Sequence, residues 1–157
     1  MRSSLSKSAM RTAFAAVLVC SVIPAAAQTT PIATGDVNAE GVVAEVTECK
    51  RSEGTLTLRI RLKNTGDKKV GLWVVSGRKY DDHYVTAGKK KYLILRDAQK
   101  KPLAPAADAG GNVHVSLKKG GVYNWWAKFP APPADVKKVN YAWPVGGPID
   151  DIPCTDS

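Results

Sequence analysis

From Thr55 to Lys63 the chain alternates without a break: Leu56, Leu58, Ile60 and Leu62 share one parity, while Thr55, Thr57, Arg59, Arg61 and Lys63 share the other. A period of two sends successive side chains to opposite faces of an extended chain, so the run predicts a strand with one buried face. Before it, Gly41 to Cys49 carries Val42, Val43, Val46 and Thr47 and predicts a partner strand, with Arg51-Ser52-Glu53-Gly54 as the hairpin loop. After it, Asn64-Thr65-Gly66-Asp67 is a turn signal. Further strands are expected at Val70 to Ser76, Lys91 to Arg96, Asn112 to Leu117, Val122 to Phe129 and Val136 to Trp143, each bounded by Gly, Pro, Asp or Lys clusters.

Seven strands follow from this pattern. No segment between them combines helical period with cap residues, and turn chemistry recurs at short intervals. The expected class is therefore all-β, an antiparallel immunoglobulin-like β-sandwich of about seven strands, and not a βαβ fold. Parity over residues 122 to 129 assigns Tyr123, Trp125, Ala127 and Phe129 to the core and leaves Trp126 beside Asn124 and Lys128 on the wetter face. The same rule puts Val139, Tyr141 and Trp143 on one side of the next strand. Pro130, Pro132 and Pro133 read as the rigid connection between the two, because proline fixes φ and lacks the donor that a ladder needs.

The N-terminus changes the picture of compartment. Arg2, Lys7 and Arg11 precede an apolar run from Ala13 to Val22, and Ala25-Ala26-Ala27 offers small residues for cleavage, so residues 1–27 read as a secretory signal peptide. The apolar run is about 10 residues, short of the ~20 that a permanent transmembrane helix needs. Lipid attachment at Cys20 is the alternative, but Val19 stands where a small residue is wanted. Residues 28–40 lack apolar periodicity and read as a flexible lead-in, with one β-sandwich domain over 41–157.

Loss of Cys20 with the signal leaves Cys49 and Cys154, and a single pair in an oxidising compartment predicts a disulfide. A zinc site with His83 and His114 is the competing reading; neither C-x-x-C nor H-x-x-x-H spacing exists to favour it, and no metal or other cofactor is expected. Of 23 basic residues three leave with the signal, so 20 face 14 acidic ones, a net charge of +6. This favours anionic neighbours such as anionic glycans, lipid head groups or acidic proteins. Nucleic acid is not expected as a partner of an exported protein.

The segment Trp126-Ala127-Lys128-Phe129-Pro130-Ala131-Pro132-Pro133-Ala134-Asp135-Val136, followed by Pro148-Ile149-Asp150-Asp151-Ile152-Pro153, resembles the C-terminal signature of a group of uncharacterised bacterial exported domains. These are similar to secreted, antigen-type immunoglobulin-like sandwiches. The likeness extends more loosely back to Gly41. It implies a fold and an envelope location, periplasmic or secreted, and no catalytic motif to carry over. The Cys49–Cys154 pair and the charged 76–91 loop are departures from that pattern.

Candidate chemistry is sparse. Arg78-Lys79-Tyr80-Asp81-Asp82-His83-Tyr84 gathers two carboxylates, an imidazole and two phenols in an expected loop, but adjacent aspartates do not supply the six to eight spaced oxygens of a calcium site. Asp150-Asp151 shares that weakness, and His114 falls on the polar parity of its strand. No nucleophile elbow, H-E-x-x-H pair or phosphate loop occurs in the mature chain, so no enzyme is expected. The expectation is a monomeric binding or structural module of the envelope whose partner is a protein or an anionic glycan. One alternative is an inhibitor of an envelope or host enzyme that uses Trp126, Tyr80, Tyr84 and Lys128 as its contact surface. The other is a polyanion-binding module that uses Lys89, Lys90, Lys91, Lys118, Lys119, Lys137 and Lys138, if they converge.

Overall fold

A computed structural model describes residues 30–157; the signal peptide assigned to 1–27 lies outside them. In chain order the strands are β1 (Ala33–Asp36), β2 (Val42–Ser52), β3 (Thr55–Asn64), β4 (Val70–Val75), β5 (Tyr84–Ala87), β6 (Lys90–Leu93), β7 (Val113–Leu117), β8 (Val122–Pro130), β9 (Lys138–Ala142), β10 (Ile149–Pro153) and β11 (Thr155–Asp156). A single 3-10 turn, Tyr80–Asp82, precedes β5. All seven expected strands are present. The lead-in is not structureless: β1 lies inside it and pairs antiparallel with β2, Ala33 opposite Val46. Strand β5 likewise occupies the expected 76–91 loop.

Three sheets share one core. The first runs β1-β2-β3-β8 with β11 added to β2, the second β10-β9-β5-β6, and the third is the β4-β7 ribbon. Every pairing is antiparallel except β11 with β2. The architecture is sandwich-like and all-β. Alternation explains why: Leu56, Leu58, Ile60 and Leu62 of β3 face inward with Trp125, Ala127 and Phe129 of β8, and meet Val85, Val139, Tyr141, Ile149 and Ile152 of the second sheet. At the β2-β3 hairpin Glu53 and Gly54 both take positive φ, 49° and 77°, the two-residue turn whose twist suits antiparallel strands.

A bulge reshapes β2. The register slips between Val46 and Glu48, so inward parity moves from Val42, Ala44 and Val46 to Cys49 and Arg51. That one extra residue delivers Cys49 to Cys154, with which it forms a disulfide at a Cα separation of 4.7 Å. It also buries an arginine. Arg51 donates from Nε to Asp156 Oδ1 at 2.7 Å and from Nη1 to the carbonyls of Pro133 and Val136 at 2.8 and 2.6 Å. The proline-rich connection therefore has two of its carbonyls satisfied by a side chain from the opposite end of the sequence. Arg51→Ala removes the side-chain donor from the Val136 carbonyl, leaves Pro133 O with only the Val136 amide at 3.1 Å, and should lower the unfolding free energy by about 2–3 kcal/mol in urea titration. A change below about 0.5 kcal/mol would show that the latch carries no stability.

Candidate functional site

The expected contact surface divides. Trp126 sits half-buried on the outer face of the first sheet, opposite Arg59, and Lys128 is exposed beside it, opposite Thr57. Tyr84 is half-buried under Lys91, whose Nζ stands 3.6 Å from the ring centroid. Tyr80 does not share that surface: its ring is buried and its hydroxyl donates to the Pro105 carbonyl at 2.7 Å, while burial raises its pKa. A phenol next to two aspartates reads as exposed in sequence, but a 3-10 turn rotates this one into the core.

His83 follows it inward. It is 0 % exposed, and both ring nitrogens are used. Because a carbonyl can only accept, Nε2–H donates to Val74 O at 2.8 Å, which leaves Nδ1 to accept from the Tyr141 hydroxyl at 2.8 Å. The Tyr141 oxygen in turn accepts from Trp125 Nε1–H at 2.9 Å. Val74 is the extra residue of a bulge in β4, where the register slips between Trp73 and Val75. The chain of bonds thus joins β8, β9 and β4, one strand from each sheet. Burial holds the imidazole down at about 4, against smaller opposing effects of the Val74 bond and the Asp82 charge, and burial likewise raises the Tyr141 phenol. A neutral histidine whose bonds are all internal ties the sheets together and is closed to metal.

Asp150 and Asp151 form another bulge. Asp151 takes φ 54°, donates its N–H to Asn140 Oδ1 at 2.9 Å and lies 3.5 Å from Lys138 Nζ. Among the described residues, no group of three potential ligands is placed to hold a metal ion. No described helix is long and apolar enough to cross a membrane.

The lysines fall into two groups, as the register determines. Lys138 opens β9 opposite Pro153 with Lys137 just before it, and the pairing of Thr86 with Asn140 brings the Ala87–Lys90 hairpin tip to the same end. Lys89, Lys90 and Lys91 therefore join Lys137 and Lys138. Their carboxylate partners are Asp156, 3.9 Å from Lys137, and Asp151. Lys118 and Lys119 lie apart, in the β7-β8 turn, where Gly120 N donates to Asn64 O at the opposite end of β3, and Lys119 pairs with Asp67.

One exposed ring escaped the alternation argument. Trp73 is 55 % exposed and rests against His114, ring centroids 4.6 Å apart, on the outer face of the β4-β7 ribbon. Its strand reads Val-Gly-Leu-Trp-Val-Val, a continuous apolar run in which parity is masked, although Leu72 inside and Trp73 outside obey it. His114 is exposed, as expected. No family model, curated protein or solved structure matches the chain, so geometry alone carries the functional reading.

Proposed function

We propose that the chain is an exported, non-catalytic binding module with an immunoglobulin-like sandwich fold, and that it holds an anionic envelope glycan or similar polyanion. One observation carries this reading: register alone gathers Lys89, Lys90, Lys91, Lys137 and Lys138 at one end of the second sheet, with two carboxylates among them. Clustered cations at the end of a rigid sheet attract a polyanion without needing a cavity. The disulfide suits an oxidising compartment, in keeping with export. An inhibitor surface is favoured less, since Tyr80 is buried and Trp126 half-buried.

The test uses two double variants of equal charge change. Lys89→Glu with Lys90→Glu should elute from an immobilised sulfated glycan at a salt concentration lower by about 0.1 M or more than the parent protein. Lys118→Glu with Lys119→Glu, at the other end, should elute close to the parent. Equal shifts from both pairs would reduce the attraction to net charge and remove the proposed surface.

A further inference from the structure

A second site lies beside β8, and it is built rather than merely charged. The connection from β6 to β7, residues 94–112, is longer than compact domains usually tolerate without a role, and it contains no strand, only the isolated bridge between Arg96 and Pro102. It is nevertheless fixed at many points. Leu95 N donates to Lys128 O at 2.8 Å and Lys128 N to Leu103 O at 3.0 Å, so both limbs of the loop dock on the edge of β8. The Tyr80 hydroxyl holds Pro105 from below. At the far end Arg78 N donates to Gly111 O at 2.6 Å.

Between these anchors is a cleft of about 570 Å³, within the range of small-molecule sites. Its apolar lining is compact: Pro102, Ala104, Ala106 and Ala107, with the largely buried Tyr80. Four cations line it, Arg78, Arg96, Lys100 and Lys101. The two carboxylates of the wall are already engaged with backbone donors. Asp97 Oδ1 accepts from the amides of Gln99 and Lys101, and Asp108 Oδ1 from Asn112 N. They shape the turns.

The cations are less committed. Arg96 reaches Asp81 at 3.0 Å in an exposed pair that contributes little, and Arg78 Nη2 donates to Ala109 O at 3.2 Å. Lys100 and Lys101 have no side-chain partner among the described residues. Gly111 explains why Arg78 sits where it does: at φ 83° it carries no side chain, and a Cβ there would come within 2.6 Å of Arg78 Cγ. The glycine gives the arginine stem its bed.

We infer that this cleft binds a small organic anion, a phosphate monoester or carboxylate on a compact apolar body, with the body against the alanine and proline lining and the anion between Arg78, Arg96, Lys100 and Lys101. The inference stands apart from the lysine surface at the end of the second sheet. It would survive the failure of that reading.

Amide chemical shifts of the mature protein, titrated with phenyl phosphate, benzoate, inorganic phosphate and phenol, test it. Phenyl phosphate or benzoate should saturate below about 10 mM with shifts confined to residues 78–81 and 94–112, and inorganic phosphate and phenol should bind roughly tenfold more weakly or worse. Which aromatic anion binds tighter identifies the head group. Lys100→Gln with Lys101→Gln, both exposed, should weaken the tighter ligand by about tenfold and leave glycan elution unchanged. Gly111→Ala should weaken it through Arg78. Absence of saturation, equal binding of inorganic phosphate, or shifts centred on residues 89–91 and 137–138 would overturn the site.

Discussion

Replacing Cys49 and Cys154 together by serine lowers the unfolding free energy by about 3–5 kcal/mol. The two cysteines are 105 residues apart, so the bond closes a loop spanning nearly the whole folded domain. In the chain-entropy account such a loop removes about 4–5 kcal/mol of conformational freedom from the unfolded chain. A folded-state effect adds to it. The bond holds β11 against β2 through Thr155 opposite Lys50, beside the Arg51–Asp156 pair and the Ser157 N to Arg51 O bond at 3.0 Å. Without the covalent tie this two-residue parallel strand keeps those contacts and an exposed Lys137–Asp156 pair at 3.9 Å, so the tail after Pro153 should fray first and become open to carboxypeptidase. Urea titration of the double variant and of the parent, with and without reductant, measures the loss. Coincident midpoints for all would show that the staple carries no stability.

The extent to which this fold was legible depends on whether parity runs unbroken. Strand β3 and the inward rings of β8 and β9 could be read directly, because each keeps strict alternation and each core residue falls on the expected side. The disulfide could be read because two cysteines allow one partner. Where a bulge intervenes, parity inverts without any mark in the sequence. This is how Arg51 came to be buried beside Cys49, and how Val74 came to offer a carbonyl to His83. The short strands β1, β5 and β11 have no strong pattern of their own and exist because a neighbouring strand presents unpaired backbone groups.

The site was harder to read for a related reason. Residues 78–84 are polar in composition, and composition predicts a solvated loop, yet Tyr80 and His83 enter the core because partners wait there for their polar atoms: the Pro105 carbonyl accepts from one, and for the other the Val74 carbonyl accepts and the Tyr141 hydroxyl donates. Whether scattered lysines converge is a property of register, which single-sequence patterns do not encode. The cleft is less visible still. Its cations come from Arg78 on one connection and from Arg96, Lys100 and Lys101 on another, and they meet only because Gly111 and Lys128 pin the second connection to the first and to β8.

The internal histidine makes a further prediction, about pH. In the unfolded chain His83 takes up a proton near 6.5, whereas in the folded protein burial defers uptake to about 4. Between those values the unfolded state binds more protons than the folded one, so stability is fully present above about 6.5 and falls as the pH drops. A fully unequal proton count costs about 1.4 kcal/mol for each pH unit, which over this window sums to about 3 kcal/mol. Below about 4 the contribution of this residue is exhausted. Protonation also disturbs the network, because a second N–H at Nδ1 would face the Tyr141 hydroxyl, whose oxygen already accepts from Trp125 and which would have to turn its own hydrogen elsewhere. In His83→Gln the side chain can still donate toward Val74, so the fold should persist, less stable at neutral pH by about 1–3 kcal/mol, while the drop between pH 6.5 and 4 shrinks by about 3 kcal/mol relative to the parent. The two proteins differ at this side chain alone, so the difference between the two stability curves isolates the imidazole. Parallel curves across that window, or an imidazole that titrates near 6.5 in the folded protein by NMR, would show that His83 is open to water and that the bond chain from Trp125 to Val74 does not hold the three sheets together.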